Sequence, residues 1–134
     1  MPVLVLGLLR VPRVTEAQLQ ARVIELAVWE GLAVFHCHNS LRSTGPGYPD
    51  LTIAGAGGML FAELKSATGI LAPDQRAWRD RLRAAGQEWR LWRPADWADR
   101  TIQVQLAMLA DGEYATVSYR VADGVTILPV RSES

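Results

Sequence analysis

Asp50, Glu63 and Lys65 are the residues whose types and spacing point most clearly to chemistry. Asp50 follows the rigid Tyr48-Pro49 pair, and a single residue separates Glu63 from Lys65. Side chains two apart on a β-strand share a face, so the pattern predicts that Glu63 and Lys65 act on the same side of a sheet. Two carboxylates on a half-buried surface are costly unless something binds there, and a hard divalent cation would offset that cost.

The same stretch predicts a hairpin that would bring the three side chains together. Residues 50–54 have the character of one strand, residues 55–58 of a glycine-rich turn, and residues 59–65 of a second strand. Lys65 is the only lysine of the chain, so its presence here does not come from a lysine-rich background. The alternative is an exposed ion pair on a sheet face, worth about 1 kcal/mol or less.

Helix and strand signals continue on both sides of this hairpin. Thr15 and Gln18 have the spacing of a capping box, and a later helix has Pro73 in its first turn and Gly86 beyond its end. In chain order the predicted elements are a helix ending at Gly31, a strand over 32–38, a polar loop over 39–49, the hairpin, a helix over 73–85, a strand over 87–93, a helical stretch from 94 to about 110, and a second hairpin over 113–130 around residues 122–124. Helix, three strands, helix and strand predict an α/β fold with a mixed four-stranded sheet flanked by helices.

Composition predicts one globular domain over residues 1–134. The chain is 49% hydrophobic, has no net charge at neutral pH and a pI near 6.7, so there is no global signal for nucleic-acid binding. Its single cysteine excludes an internal disulfide and suits the cytoplasm. Residues 1–9 are apolar but short and lack a preceding basic region, so we interpret them as a strand or docked arm rather than a signal peptide or membrane span.

Five short segments follow one another on the predicted elements: Thr15-Glu16, Gly47-Tyr-Pro-Asp-Leu51, Phe61-Ala-Glu-Leu-Lys-Ser66, Leu71-Ala-Pro-Asp-Gln75 and Trp92-Arg-Pro-Ala-Asp96. Together they resemble the VRR-NUC family of the PD-(D/E)xK nuclease superfamily over roughly residues 13–105. The resemblance implies a restriction-endonuclease-like αβββαβ core, followed here by a C-terminal helix and β-hairpin. Residues 111–134 lie outside the resemblance as an extension, with a hairpin that we expect to serve in dimerisation.

The resemblance also implies roles for individual residues. The implied catalytic set is Asp50, Glu63, Lys65 and Gln75, and the implied ligands of Mg²⁺ or Mn²⁺ are Glu16, Asp50, Glu63 and the backbone carbonyl of Leu64. Lys65 would position the attacking water or stabilise charge on phosphorus, and Gln75 would orient Lys65 or that water. For Glu16 the alternative is a purely structural one, because an acidic residue in the first turn stabilises a helix without any metal.

Candidate DNA contacts lie on both sides of the hairpin. Arg42 stands in the polar loop before Asp50, where a guanidinium can bind phosphate in a forked geometry. Three further arginines share one face of the second helix, and the alternative for them is an ordinary solvated face: Arg76, Arg79 and Arg83. His38 is a candidate phosphate contact or proton carrier, and the alternative is a sheet residue without such a role.

These expectations combine into one function. We expect a Mg²⁺- or Mn²⁺-dependent DNA endonuclease that acts as a homodimer on branched or double-stranded DNA, first of all four-way junctions, whose two-fold character suits two matched active sites. Flap cleavage or duplex nicking is the alternative substrate choice. A DNA-binding module of the same fold without turnover is the alternative class. We expect no membrane partner and no nucleotide cofactor.

Overall fold

The computed structural model describes residues 13–112 and the backbone of residues 121–122 and 125–126. The helices in this part of the chain are α1 (Glu16–Trp29), α2 (Pro73–Ala84), α3 (Pro94–Ala98) and α4 (Thr101–Asp111). Its strands are β1 (Ala33–His36), β2 (Leu51–Gly55), β3 (Gly58–Leu64), β4 (Glu88–Trp92), β5 (Val121–Ala122) and β6 (Val125–Thr126). A 3₁₀ turn, Ser40–Arg42, lies between β1 and β2.

Strands β1 to β4 form one mixed sheet in sequence order. β1 pairs with β2 and β2 with β3 in antiparallel fashion, whereas β3 and β4 are parallel and α2 connects them. The register of the β2–β3 hairpin pairs Leu51 with Ala62, so one further step places Asp50 beside Glu63. The predicted hairpin and the predicted mixed α/β fold are both confirmed.

The capping box predicted for α1 is present. The Thr15 hydroxyl accepts a hydrogen bond from the Gln18 backbone N–H at 3.1 Å, and the Gln18 side chain accepts one from the Thr15 N–H at 2.9 Å. Satisfying these backbone groups fixes where the helix begins. Leu19, Val23 and Ala27 are then fully buried, which orients α1 on the sheet and sets the direction of Glu16 in its first turn.

Helices cover both faces of the sheet, and each face has its own hydrophobic core. The larger core joins apolar residues of α1 and α4 to one face of the strands, with Leu64 and Trp92 among its fully buried members. The smaller core consists of Phe61, Leu82 and Trp89, so α2 packs on the opposite face. Because Phe61 and Glu63 are two residues apart on β3, Glu63 points to the side of the sheet that α2 covers.

The turn of the β2–β3 hairpin is seated on the end of α4. The Gly57 N–H donates a hydrogen bond of 2.8 Å to the Leu109 carbonyl. A Cβ atom at Gly57 would lie only 2.9 Å from that carbonyl oxygen, so the close approach requires glycine. The hairpin is therefore held at its turn as well as along its strands.

One predicted helical element differs from the structure. The helical stretch predicted from 94 to about 110 is two helices, separated by Arg100 in the left-handed conformation at φ 70°. Asp99 explains the break, because its carboxylate accepts the Thr101 backbone N–H at 2.9 Å and begins a new helix there.

Only the centre of the predicted C-terminal hairpin falls within the described backbone. Val121 pairs with Thr126 and Ala122 with Val125, around the turn expected at 122–124. The remainder of its predicted strands and the arm predicted at residues 1–9 lie outside the described residues. None of the described helices is long and apolar enough to cross a membrane.

Candidate active site

Asp50 is held rigidly at the start of β2. Its side-chain Oδ2 accepts a hydrogen bond of 2.8 Å from the Leu64 backbone N–H on β3. Its backbone carbonyl accepts another of 2.9 Å from Cys37, at the end of β1. The carboxylate is thereby fixed across the hairpin, with one oxygen engaged by backbone.

Glu63 is the one charged residue among those that the structure describes as buried, with an exposed fraction of 3%. The pKa of its carboxyl is raised from 4.5 to about 9, first of all by burial and then by the nearby Asp50 carboxylate, through its charge and a hydrogen bond between the two groups. Lys65 opposes the shift and Glu16 adds to it. At neutral pH and without a cation, Glu63 therefore carries a proton.

Lys65 lies on the same side of β3 as Glu63, as the strand spacing predicts. Its Nζ is 3.9 Å from Glu63 Oε1, and its side chain is 16% exposed. The Lys65 backbone N–H donates to the Trp92 carbonyl at 3.1 Å, which continues the β3–β4 ladder one residue past the strand. The ammonium group is thus positioned by the sheet, next to the buried Glu63 carboxyl.

Gln75 of α2 reaches the same carboxylate. Its Nε2 donates a hydrogen bond of 3.0 Å to Glu63 Oε1, while its Oε1 accepts the Ala72 N–H at 2.8 Å. The hydrogen-bond partner of Gln75 at the site is thus Glu63, and the predicted role of Gln75 in orienting Lys65 or a water stays a prediction. The cap explains the contact with Glu63: a glutamine three residues after Ala72 is drawn to the start of the helix, and its free amide group then points at β3.

Glu16 lies in the first turn of α1, close enough to Asp50 and Lys65 for their charges to act on its carboxyl. Partial burial raises the pKa of its carboxyl, the Asp50 charge raises it further, and Lys65 lowers it. The Glu16 carboxyl therefore interacts electrostatically with Asp50 and Lys65, although its side chain is largely exposed.

The donor chemistry of the site fits a hard divalent cation. Among the described residues, no three His, Cys, Asp or Glu side chains form a ready metal cluster, so the close carboxylates are the pair Asp50 and Glu63. Mg²⁺ is commonly bound by only one or two carboxylates, with waters and substrate phosphates completing its shell. A buried carboxyl next to a second one also needs either a proton or a cation, and a cation would release both to ionise.

The structure places the predicted DNA-binding arginines in different surroundings. Arg42 ends the 3₁₀ turn and is exposed. The α2 arginines have contacts within the chain: Arg76 with the Leu71 carbonyl at 2.7 Å, Arg79 with Asp80 at 2.9 Å, and Arg83 over the Trp89 ring at 5.2 Å. To bind phosphate, each of the three would exchange or share these contacts.

His38 is exposed beside a second histidine. Its ring centroid is 4.3 Å from that of His36, and His36 Nδ1 lies 3.4 Å from Gln20 Nε2 of α1. The pair therefore lies on the α1 side of β1. Among the described residues, neither histidine side chain forms a hydrogen bond or an ion pair with the carboxyl group of Asp50 or Glu63.

The first turns of α2 also support the loop before Asp50. The sequence did not predict this contact between the helix and the loop. Trp78 Nε1 donates to the Pro46 carbonyl at 3.1 Å. Gly47 adopts φ 85° against the backbone of Asp74, where a Cβ atom would come within 2.5 Å of the Asp74 carbonyl carbon. The turn of α2 that carries Gln75 thus also supports the chain entering Asp50. A Gly-Tyr-Pro-Asp run is the only local signal of such a constrained turn.

A solved structure shares this fold. It bears the description "VRR_NUC domain protein", is 24% identical in sequence, and aligns with a TM-score of 0.51 over 73% of this chain and 93% of its own. The sequence matches no family model and no curated protein. The resemblance stated from the motifs is therefore confirmed at the level of the fold.

Proposed function

We propose that this chain, which has the fold of a VRR_NUC domain, is a metal-dependent nuclease that hydrolyses phosphodiester bonds in DNA. The observation that carries the proposal is the convergence of Asp50, Glu63, Lys65 and Gln75 at the end of the β2–β3 hairpin. A buried Glu63 beside the half-buried Asp50, with a lysine next to them, is expensive for stability alone, because desolvated charges cost more than a surface pair returns. Binding of a cation and a phosphate explains why the chain maintains it.

Asp50 and Glu63 would hold Mg²⁺ or Mn²⁺, with the Leu64 carbonyl and Glu16 as further oxygen donors. Such a cation would supply Lewis-acid polarisation of the scissile phosphate and would acidify a water molecule. The Leu64 N–H occupies Asp50 Oδ2, so the other carboxylate oxygen, Oδ1, would serve as the metal ligand. Gln75 holds Glu63 in place through the oxygen that it bonds.

Lys65 supplies a fixed positive charge to the reaction. Its ammonium group, on a side chain that is 16% exposed, would stabilise negative charge that develops on the phosphate oxygens. Screening by water is weaker there than at an open surface, so the interaction is worth more. Lys65 would also orient the attacking water, because three rotatable N–H donors are available on one ammonium group.

DNA would approach over the exposed loop that ends at Asp50. Arg42 would contact the phosphate backbone first, with His38 and the α2 arginines Arg76, Arg79 and Arg83 along the flanks. Backbone contacts favour recognition of DNA shape over sequence. We propose branched DNA, first of all the four-way junction, as substrate and a homodimer as the acting form.

Cleavage of labelled DNA tests this proposal. Four-way junction, flap, duplex and single-stranded substrates are incubated with Mg²⁺ or Mn²⁺ and the wild-type chain, Asp50→Ala, Lys65→Ala or Glu30→Gln. We expect cleavage that EDTA abolishes and that either alanine substitution lowers at least about 100-fold. The exposed carboxylate of Glu30, beyond the far end of α1, serves as the control, and its loss should leave the rate unchanged.

The possible results separate the parts of the proposal. No cleavage of any substrate would refute the nuclease, and binding without cleavage would support a non-catalytic module instead. Cleavage by the alanine variants at the wild-type rate would refute the site. A preference for flaps or nicked duplex would overturn only the choice of substrate.

A further inference from the structure

A groove with apolar walls runs along the second half of α1. It encloses about 600 Å³ and is lined by Arg22, Glu25, Leu26, Val28, Trp29 and Trp97. Trp29 is 85% exposed and its neighbour Val28 62%. Single exposed apolar residues are ordinary, but adjacent ones beside a groove of this size mark a contact surface.

We propose that residues 1–9 of the same chain, Met-Pro-Val-Leu-Val-Leu-Gly-Leu-Leu, bind in this groove. The segment has no charged side chain and is the most apolar stretch next to α1. It leads through residues 10–15 directly into the helix that forms the groove wall. Its chemistry and its attachment point both match the surface.

The lengths agree with this placement. At about 1.5 Å per residue, Arg22 lies roughly 9 Å and Trp29 roughly 20 Å along α1 from Glu16. Residues 13–15 are fixed at the start of α1, where Val14 packs on the larger core and Thr15 caps the helix. Residues 10–12 can span at most about 10 Å and residues 1–9 about 30 Å. Together they exceed the roughly 24 Å between Arg13 and Trp29 along the helix direction, so the arm is long enough to cover the groove.

Attachment favours this occupant over a separate molecule. A segment of the same chain has an effective concentration of about millimolar order at a site close to its attachment point. A second copy or a foreign peptide must first lose its translational and rotational freedom. An arm of modest intrinsic affinity therefore fills the groove before either competitor does. The inference concerns α1 and α3 and does not depend on nuclease activity.

Disulfide mapping in the full chain tests the contact. In a Cys37→Ser background, Leu4→Cys, Val5→Cys or Leu6→Cys is combined with Glu25→Cys or Val28→Cys, and each protein is oxidised mildly at low concentration. A disulfide needs Cα atoms within about 7 Å, so only neighbouring positions will join. The matched control pairs the same arm cysteines with Ala84→Cys, on the exposed end of α2.

We expect a disulfide within one chain for at least one groove pair, several-fold above the α2 control. Disulfides that form only between chains would overturn the proposal in favour of a second copy. Equal yields for groove and control pairs would overturn it as well, because they would show an arm without a fixed place.

Dye binding gives a second measurement that does not depend on cysteine geometry. Leu4→Asp combined with Leu6→Asp should release the arm, so the fluorescence of an anilinonaphthalene sulfonate dye should rise several-fold over wild type. Adding Trp29→Ala should remove most of that increase. If wild type already binds the dye as strongly as the aspartate variant, the groove is open and the proposal fails.

Discussion

The Glu63 carboxyl has almost no contact with water and lies beside a second carboxyl group. Asp50 keeps its place because the Leu64 backbone N–H holds one of its oxygens. Neither group can move away from the other, since both are fixed by the hairpin. If the proposed cation binds, we expect the site to have two states, one with a proton on Glu63 and one with the cation between ionised groups.

The raised pKa of Glu63 predicts how stability depends on pH. A carboxyl with a pKa of 4.5 when unfolded and about 9 when folded stabilises the fold fully below pH 4.5. That contribution declines as pH rises toward 9, because the unfolded state then loses a proton that the folded state keeps. In EDTA, we expect the free energy of unfolding to fall across this window, as urea titrations at several pH values will measure.

Substitution and metal provide the controls for this pH dependence. Glu63→Gln keeps the shape without the titration, so its stability should change less with pH. Mg²⁺ should restore the stability of wild type at high pH and have little effect at low pH, because protons and the cation compete for the same oxygens. An equal pH slope in wild type and Glu63→Gln would contradict the assignment.

Gln75→Leu should weaken the response to metal. The substitution removes the donor to Glu63 and leaves that carboxyl without an N–H partner from α2. We expect a higher Mg²⁺ concentration for half-maximal cleavage and a loss of about 1 kcal/mol in stability. Titration of the cleavage rate against Mg²⁺ measures the first quantity, and urea unfolding measures the second.

Gln18→Leu is the matched control for that change. Gln18 caps α1 as Gln75 caps α2, through the same side-chain oxygen three residues into the helix. Its loss should reduce stability to a similar extent without altering the Mg²⁺ requirement. Equal shifts in the Mg²⁺ requirement for both variants would show that Gln75 acts only as a cap.

At the scale of elements, the loop before Asp50 depends on the start of α2. Gly47→Ala would place a Cβ against the Asp74 backbone in a left-handed conformation, whereas Gly86→Ala has a similar φ of 78° and open space around it. We expect Gly47→Ala to lose about 1–3 kcal/mol more stability than Gly86→Ala. Its cleavage rate should also fall. Equal losses in urea unfolding would show that the loop relaxes without cost.

Local signals account for the elements that the sequence predicted correctly. The α1 cap depends on Thr15 and Gln18, three residues apart, and the hairpin on a short glycine-rich turn. Strand spacing alone placed Glu63 and Lys65 on one face. Such features act within a few residues, so a pattern in the sequence is enough to reveal them.

Contacts between elements account for what the sequence missed. Gln75 contacts Glu63, which lies twelve residues earlier in the sequence. Gly47, in the loop before β2, packs against the backbone of Asp74 in α2. No periodicity encodes which helix face meets which strand. The break at Arg100 also escaped prediction, because Asp99 competes for the backbone inside an otherwise helical pattern.

At the scale of the whole molecule, the proposed site draws on four separate elements of the fold. Asp50 and Glu63 come from two strands, Gln75 from the crossover helix, and Glu16 from the first helix. The homodimer that we predict would pair two such sites, with the C-terminal hairpin as contact element, since an isolated hairpin is marginally stable alone.

Light scattering after size exclusion tests this assembly. We expect the full chain to elute as a dimer and a chain ending at Ala110 as a monomer. Two monomers would refute the dimer, and two dimers would move the contact away from residues 111–134. Binding of junction DNA to each form then shows whether pairing contributes to affinity.

The contact between the Gly57 turn and Leu109 limits where this protein can accept inserted residues. Tips of hairpins are ordinarily where extra residues, tags and inserted domains are accepted most easily, because they project into solvent. Here the tip is closed off by α4, and added length would lift the strand that carries Asp50 away from its support. The open turn at Gly86, after α2, is the better place to lengthen the chain.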